Sequence, residues 1–262
     1  MTADGGQRLS APIRFVAKVG TQPFSCGTTY AGLGLSNTSY QPKDLRFYVH
    51  DIRLVSHEGD AVKFDLANDG AFQKDGIALL DFEDATGLCS NGTAATHTQL
   101  TGSLPQNHYH LLKFTLGVPF AQNHQDATTA LAPLNNSGMW WNWNGGYKFM
   151  RIDGNTTGLP GGHNLHLGST GCVDDGNGGV SSCDRPNRPE VSLTGFDPLA
   201  TTIVIDYAAV VAASDLATNG GGPPGCMSGT ADPECGPVFD RLGIDVADGS
   251  IHPEKQVLFR AK

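Results

Sequence analysis

Charged residues are scarce in this sequence, and basic residues are scarcer than acidic ones. Only 16% of the 262 residues are Asp, Glu, Lys or Arg, and 17 Lys and Arg against 26 Asp and Glu give a formal net charge of -9. An acidic chain without a cluster of Lys or Arg repels nucleic acid and anionic lipid surfaces. We therefore exclude nucleic-acid binding.

Long apolar runs and common catalytic motifs are also absent. No run approaches the roughly 20 apolar residues that a membrane helix requires. There is no Gly-x-Ser-x-Gly, phosphate-binding loop, dinucleotide fingerprint or His-Glu-x-x-His motif. Asp81, Glu83 and Asp84 could be imagined as acid/base carboxylates, but a solvated strand end explains them more simply. We expect a binding protein and not an enzyme.

Glycine and proline are abundant, with 34 and 15 residues, which favours short strands joined by turns. Period-two apolar patterns predict strands at 13–19, 45–55, 62–66, 77–82, 110–116, 147–152, 191–193, 202–207 and 257–259. Short helices are predicted at 207–216, capped by Asp206, and at 239–242. The predicted fold is all-β, an antiparallel β-sandwich with long disulfide-tied loops and one or two short helices.

The pattern predicts one domain over residues 13–262, preceded by a disordered segment over 1–12. Residues 154–189 are rich in Gly, Asn, Asp and Ser and predict a long loop, which needs a disulfide or a metal ion to hold it. Asp174 to Gly179 superficially resembles a calcium loop but lacks the required register, so a flexible turn is the better interpretation.

An even number of cysteines without a Cys-x-x-Cys pair predicts disulfides and an oxidising compartment. Zinc is the competing interpretation, but the spacings do not fit zinc knuckles. Six cysteines allow about 15 pairings, and the most economical one joins Cys26 to Cys89, Cys172 to Cys183, and Cys226 to Cys235. The polar start of the chain has no signal-peptide pattern, so we expect the mature form of a periplasmic or secreted protein.

Nine histidines are more than packing requires, and four lie in polar or glycine-rich contexts: His108, His124, His163 and His166. Loops on a rigid sandwich can direct several imidazoles at one point, although a single histidine is more often an ordinary surface residue. His50 and His110 are in phase with apolar strand positions, which favours packing. His50 could also lie at a strand end, where a ligand would be useful.

All three tryptophans lie between Met139 and Tyr147. In an extended chain Trp141 and Trp143 would share one face. Hydrophobic packing is the simplest interpretation, and a carbohydrate- or surface-binding module that uses the Trp140–Trp143 aromatic face is the alternative function. The thioether of Met139 together with imidazoles would favour copper, especially Cu(I), over calcium or magnesium.

Several motifs in order resemble one known family. They are Leu45-Arg-Phe-Tyr-Val-His-Asp-Ile-Arg-Leu-Val55, Ala78-Leu-Leu-Asp-Phe-Glu83, Leu116-Gly-Val-Pro-Phe120 with Asn123-His124, Met139-Trp-Trp-Asn-Trp143 with Gly146-Tyr-Lys-Phe149, His166-Leu-Gly-Ser-Thr-Gly-Cys172, and Gly225-Cys-Met-Ser-Gly229 running to Phe239. From about residue 13 onward the chain resembles the metallo-mystery pair four-Cys motif proteins, also called MbnP-like proteins.

The resemblance implies a periplasmic copper-binding protein in copper homeostasis, whose partner is a MauG-like dihaem enzyme that oxidises tryptophan to kynurenine. It makes Cys172, Cys183, Cys226 and Cys235 the four family cysteines, with Cys26 and Cys89 as an additional pair. Trp141 and Trp143 correspond to the motif tryptophans, and Trp140 is the weaker candidate. His124 and His166 are the implied metal ligands, and His50 is a less secure third. A purely structural or interaction protein with incidental histidines remains the third interpretation.

Overall fold

The computed structural model describes residues 7–262. Its strands are β1 (Arg8–Ser10), β2 (Ile13–Val19), β3 (Gln22–Pro23), β4 (Tyr30–Leu33), β5 (Thr38–Ser56), β6 (Ala61–Lys63), β7 (Asp65–Leu66), β8 (Gln73–Lys74), β9 (Ile77–Asp81), β10 (Gln99–Leu100), β11 (Gly102–Pro105), β12 (Tyr109–Leu116), β13 (Trp140–Asn142), β14 (Gly146–Tyr147), β15 (Met150–Thr156), β16 (Leu159–Leu167), β17 (Thr170–Asp174), β18 (Val180–Arg185), β19 (Glu190–Thr194), β20 (Thr202–Asp206), β21 (Gly225–Cys226) and β22 (Phe259–Ala261). The α-helices are α1 (Phe120–Asn123), α2 (Tyr207–Val211) and α3 (Cys235–Leu242), and short 3-10 helices cover Ser137–Met139 and Pro253–Lys255.

Two main sheets form the body of the protein. The smaller sheet has the order β10-β2-β20-β22, and β3 pairs with β2. The larger sheet has the order β19-β12-β5-β15-β16-β21. In the larger sheet β4, β6 and β9 also pair with β5, and β8 pairs with β9. Most neighbours are antiparallel, and β2–β20 and β16–β21 are parallel pairs. The predicted all-β sandwich is confirmed. No helix within residues 7–262 is long and apolar enough to cross a membrane.

Aromatic side chains join the two sheets. Phe15 and Phe259 from the smaller sheet meet Phe47 and Phe114 from the larger one, with ring centroids between 5.2 and 6.2 Å apart and edge-to-face geometry. Such pairs add to the free energy gained by burying the rings. Period-two patterning in β2 and β12 places Phe15 and Phe114 inward, as the sequence predicts, whereas β5 is buried on both faces around Phe47.

The central strand β5 contains a bulge next to one predicted ligand. Asp51 has a positive φ of 50°, and the pairing with β12 shifts register between Arg53–Lys113 and His50–Thr115. A bulge leaves one extra residue on one strand and changes the direction of its neighbours. His50 is therefore directed by an irregularity that a strict period-two pattern does not contain.

The prediction that residues 154–189 form a long loop is wrong, because most of these residues belong to strands β15 to β18. Two glycines of this region, Gly154 and Gly168, allow close packing. A Cβ atom at Gly154 would lie 2.0 Å from Cε2 of Tyr40, so the backbone of β15 lies directly on that ring. Within this region the turn predicted around Asp174 to Gly179 connects β17 to β18.

Several boundaries differ from the sequence prediction. The predicted strand 62–66 is split into β6 and β7, and the last strand begins at 259 and not at 257. Helix α2 ends at Val211, and Asp206 does not cap it, because its carboxylate accepts hydrogen bonds from the Gly20 amide and Arg260. Of the segment predicted as disordered, residues 8–10 form β1 by pairing with β11; residues 1–6 lie outside the described part.

The prediction of a solvated strand end is wrong for Asp81 and Glu83, whereas Asp84 is half-exposed in a turn with Thr86. Asp81 and Glu83 are 3% and 0% exposed, and their charges act on the buried guanidinium of Arg46, which pairs with Asp44. Burial raises the pKa of Asp81 to about 7, although Arg46 opposes the shift. Glu83 accepts hydrogen bonds from the amides of Ala85 and Thr93. These contacts give the two carboxylates a structural role at the end of β9.

Candidate metal site

All six cysteines form disulfides, and the predicted pairing is confirmed. The bridges are Cys26–Cys89, Cys172–Cys183 and Cys226–Cys235, which leaves no free cysteine in the described chain. Cys172 and Cys183 lie opposite each other in the β17–β18 hairpin. A zinc site built from cysteine thiolates is thereby excluded in this oxidised state, since the thiolate is the metal ligand.

His166 is a buried imidazole held by a carboxylate. It lies on β16 opposite Arg151 of β15 and is 7% exposed. Its Nε2 lies 2.8 Å from Oδ1 of Asp153. Burial alone would raise the pKa of Asp153, but the hydrogen bond from His166 and the contact with Arg151 lower it overall. An ionised carboxylate only accepts, so Nε2 carries the proton.

In the neutral imidazole of His166 the other nitrogen, Nδ1, carries the lone pair. Nδ1 is buried and has no hydrogen-bond partner within residues 7–262. A histidine whose second nitrogen donates to a carboxylate is the arrangement found at metal sites, where the carboxylate fixes the tautomer and the ring orientation. A buried acceptor without a partner is unfavourable unless water or an ion satisfies it. His166 therefore fits a metal ligand that binds through Nδ1.

A buried ion network holds Asp153 in place. Nε of Arg151 lies 2.7 Å from Oδ2 of Asp153 and 3.1 Å from Oδ2 of Asp44, and Asp44 also forms an ion pair with Arg46. Alternating opposite charges satisfy one another in this buried setting. Sequence analysis missed Asp153. The signal was available, because Arg151 and Asp153 are two residues apart and therefore share a face of β15.

His124 follows α1 and has a different environment. Its Nδ1 lies 3.0 Å from the carbonyl oxygen of Trp143, so this nitrogen donates. The side-chain amide of Asn123 donates to Nε2 at 3.1 Å, and Sγ of Cys183 lies 3.6 Å from the same nitrogen. Burial lowers the pKa of His124, and the nearby charge of Arg188 lowers it further. A metal ion at Nε2 would have to displace the Asn123 amide.

His50 has one nitrogen fixed and the other without a partner among the described residues. Nδ1 donates to the carbonyl oxygen of Gly117 at 2.8 Å. Burial lowers the pKa of His50, and Arg188 adds to the effect. Neutral imidazole is the form that binds metal ions. Arg188 itself lies over the ring of Phe149 and donates to the carbonyl of Val118.

The tryptophans occupy three different environments in and around the β13–β14 hairpin. Trp141 lies beside His166, with ring centroids 6.4 Å apart. Its ring covers Gly168, where a Cβ atom would be 2.3 Å from Cζ3. Trp141, Cys172 and Met227 line a cavity of about 460 Å³.

The prediction that Trp141 and Trp143 share one face of an extended strand is wrong. Strand β13 ends at Asn142, and Trp143 lies in the turn with 40% of its surface exposed. Trp140 packs against the core, and its Nε1 is buried without a partner among residues 7–262. Met139 is fully buried in the core. Met227, and not Met139, lines the cavity together with Trp141.

The structure does not assemble the three predicted histidine ligands around one point. In the described part of the chain, the one group of three potential ligand atoms mutually within 4.8 Å consists of His124, Cys172 and Cys183. The two sulfur atoms of this group are joined in a disulfide. His166 lies beside Trp141, and His124 lies beside Cys183. His50 and His124 have one neighbour in common, because both are near the charge of Arg188. The ligand set of His124, His166 and His50 stays a prediction.

Comparison with known proteins adds two findings. The MbnP family model matches residues 9–228. MbnP from Methylosinus trichosporium is similar in structure, with a TM-score of 0.87 and 28% sequence identity over 97% of this chain and 98% of that one. No curated protein matches the sequence.

Proposed function

Because this chain belongs to the MbnP family, we propose that it is a periplasmic or secreted copper-binding protein that acts in copper homeostasis and not as an enzyme. The observation that carries the proposal is the state of His166, whose Nδ1 lone pair is buried, unpartnered among residues 7–262 and oriented by Asp153. The three disulfides support an oxidising compartment.

The donor set favours copper over hard cations. Imidazole nitrogen and thioether sulfur are soft or borderline ligands, whereas calcium and magnesium require oxygen. His166 would be the primary ligand, and His50 and His124 would complete the site as the resemblance implies. Met227, which lines the cavity beside Trp141, supplies the soft thioether that favours Cu(I).

Oxidation of Trp141 or Trp143 to kynurenine belongs to the same proposal. An intact indole nitrogen only donates a hydrogen bond, whereas opening of the indole gives an aniline nitrogen and a carbonyl oxygen that can bind a metal ion. A MauG-like dihaem partner would perform this oxidation. Trp141 is the stronger candidate because its ring lies beside His166, and Trp143 is the more exposed of the two.

A competition titration tests copper binding. Protein from its native host is titrated with Cu(I) against a chelator, beside the double variant His124→Ala plus His166→Ala. We expect one equivalent bound tightly by the native protein and lost in the double variant. His252→Ala is the matched control, because its ring contacts Ser250 and Glu254 instead. Equal competition by native protein and double variant would contradict this site.

Mass spectrometry of the same native sample tests the modification. Peptides that contain Trp141 or Trp143 should carry the mass change of kynurenine. A copper-loaded sample in which all three tryptophans are intact would contradict this part alone. If the chelator retains all the copper, glycan binding and its loss in Trp141→Ala become the measurement for the alternative carbohydrate-binding module.

A further inference from the structure

Arg188 is a cation that the fold holds near two of the proposed copper ligands, His50 and His124. Its Nε donates to the carbonyl oxygen of Val118 at 2.6 Å, and its guanidinium carbon lies 4.9 Å from the centroid of the Phe149 ring. We propose that Arg188 sets the oxidation-state preference of the copper site, because its charge disfavours Cu(II) more than Cu(I). This inference rests on the proposed function and names the residue that selects the ion.

No carboxylate neutralises this guanidinium within residues 7–262. Arg188 forms no ion pair there, whereas Arg46 and Arg151 pair with Asp44 and Asp153. Its Nη2 is buried and has no hydrogen-bond partner in the same part of the chain. Burial lowers the pKa of Arg188 to about 10, so the group is still charged at pH 7. Water and salt screen a buried charge of this kind only weakly.

Consecutive backbone carbonyls hold Arg188 and His50. Nδ1 of His50 donates to the carbonyl of Gly117 at 2.8 Å, and Nε of Arg188 donates to the carbonyl of the next residue. The amide of Leu116 donates to the carbonyl of Pro189 at 3.0 Å, which fixes the two chain segments against each other. The guanidinium and the imidazole are therefore held together just after the end of β12.

His124 is joined to the same segment through Cys183. The Sγ atom of Cys183, in β18, lies 3.6 Å from Nε2 of His124. Arg188 follows five residues later, in the connection between β18 and β19. Burial lowers the pKa of His124 and of His50, and the positive charge of Arg188 lowers both further. The field of Arg188 therefore reaches both imidazoles.

The acidic neighbour of His50 does not cancel this field. Asp51 raises the pKa of His50, but its effect is smaller than that of Arg188. The Asp51 carboxylate lies 2.8 Å from Nη2 of Arg53 in an exposed ion pair. No acidic group within the described residues contributes to the shift at His124. The field at the two imidazoles is therefore dominated by positive charge.

A positive field distinguishes the two copper ions by their charge. Cu(II) carries one more unit of positive charge than Cu(I), so the same guanidinium opposes its binding more strongly. A unit charge that acts over about 10 Å at an effective dielectric constant of about 20 changes an equilibrium constant roughly tenfold. An ion bound through Nε2 of His50 or His124 would lie next to the rings on which Arg188 already acts. This preference for Cu(I) is separate from the one that soft ligands give.

The ratio of the two copper affinities tests the inference. Native protein and Arg188→Gln, both produced in the native host, are titrated with Cu(I) and with Cu(II) in chloride-free buffer, each ion against its own chelator. We expect the ratio of Cu(I) to Cu(II) affinity to fall about tenfold in Arg188→Gln, which lowers the reduction potential of the site by about 59 mV. A purely structural role of Arg188 would change both affinities together and leave the ratio unchanged.

Two further variants separate charge from shape. Arg188→Lys retains the positive charge and should keep the native ratio. Arg185→Gln removes the same charge three residues earlier, where the guanidinium donates to the carbonyl of Ala247, and should also keep it. Circular dichroism and thermal unfolding establish that each variant is folded. If Arg188→Gln does not fold, Arg188→Met, which retains a long side chain over Phe149, takes its place.

The outcomes separate this inference from the proposed function. Copper bound with an unchanged ratio in Arg188→Gln would overturn the inference and leave copper binding in place. An equal fall of the ratio in Arg188→Lys or in Arg185→Gln would also overturn it, because the charge at this position would not be the cause. If the native protein binds neither ion, the proposed function is wrong and the inference fails with it.

Discussion

At the residue scale, fixed oxygen acceptors determine which nitrogen of each candidate histidine carries its proton. Asp153, the Gly117 carbonyl and the Trp143 carbonyl accept from His166, His50 and His124 respectively. The lone pair is thus placed before a metal ion arrives. The sequence pattern identified the histidines but not these acceptors, because two are backbone groups brought close only by folding.

Asp153→Asn should weaken copper binding while leaving the ring in place. The Arg151 contact requires an oxygen atom, so the new amide would turn its NH2 toward His166 and move the imidazole proton to Nδ1. We expect the affinity for Cu(I) to fall about 10- to 100-fold in a chelator competition. Asp240→Asn, at an exposed ion pair with Lys255, is the control. An unchanged affinity in Asp153→Asn would show that Nδ1 is not the ligand atom.

His163 should make the fold sensitive to acid. Burial lowers its pKa to about 4, whereas the unfolded chain has a value near 6.5. The unfolded state therefore takes up the extra proton, and stability falls as the pH drops from about 6.5 to about 4, by roughly 2–3 kcal/mol. Urea unfolding at pH 7 and pH 4.5 should show a smaller loss in His163→Gln than in the native chain. Equal losses would contradict the assignment.

At the element scale, period-two patterning predicted the strands of the core, and glycine content misled the prediction of residues 154–189. Inward-facing Phe15 and Phe114 give a clear alternating signal. The region lacks that signal where aromatic rings lie directly on glycines, at Gly154 in β15 and at Gly168 just after β16. Such close packing joins residues more than a hundred positions apart, as Tyr40 and Gly154 illustrate, and a local pattern does not contain it.

Gly154→Ala should destabilise the protein for this reason. The added methyl group would overlap the Tyr40 ring, and overpacking of this kind costs about 1–3 kcal/mol. Gly236→Ala is the matched control, because nothing lies within 4 Å of its Cβ position in the first turn of α3, and replacing Gly by Ala where the backbone permits it restricts the unfolded chain, which stabilises by about 0.4–1 kcal/mol. Urea unfolding should therefore give changes of opposite sign for the two variants.

At the scale of the whole molecule, three covalent links close loops of very different length. The cysteine pairs are 63, 11 and 9 residues apart. The sequence supported this pairing because short-range partners are the economical choice. The sequence did not predict the ion network of Asp44, Arg46, Arg151 and Asp153. Asp44 and Asp153 lie far apart in sequence and come together only because β5 pairs with β15.

Removal of the Cys26–Cys89 disulfide, which closes the longest loop, should lower the free energy of unfolding the most. In the chain-entropy description a loop of 63 residues contributes about 4 kcal/mol, and the two short loops contribute about 3 kcal/mol each. Urea unfolding of paired Cys→Ala variants should rank the Cys26–Cys89 pair as the most destabilising. The reverse order would indicate that local packing around the short loops, and not loop length, governs stability.

The disulfide beside His124 also bears on how the protein should be produced. Reduction of Cys172–Cys183 would free two thiols next to an imidazole, and two thiolates with one histidine are ligands that Zn(II) binds strongly. Recombinant protein made in a reducing cytosol would then recruit zinc from the host cell at this position. Export to an oxidising compartment during expression keeps the sulfur atoms paired, so a measured metal content reports on histidine and tryptophan chemistry alone.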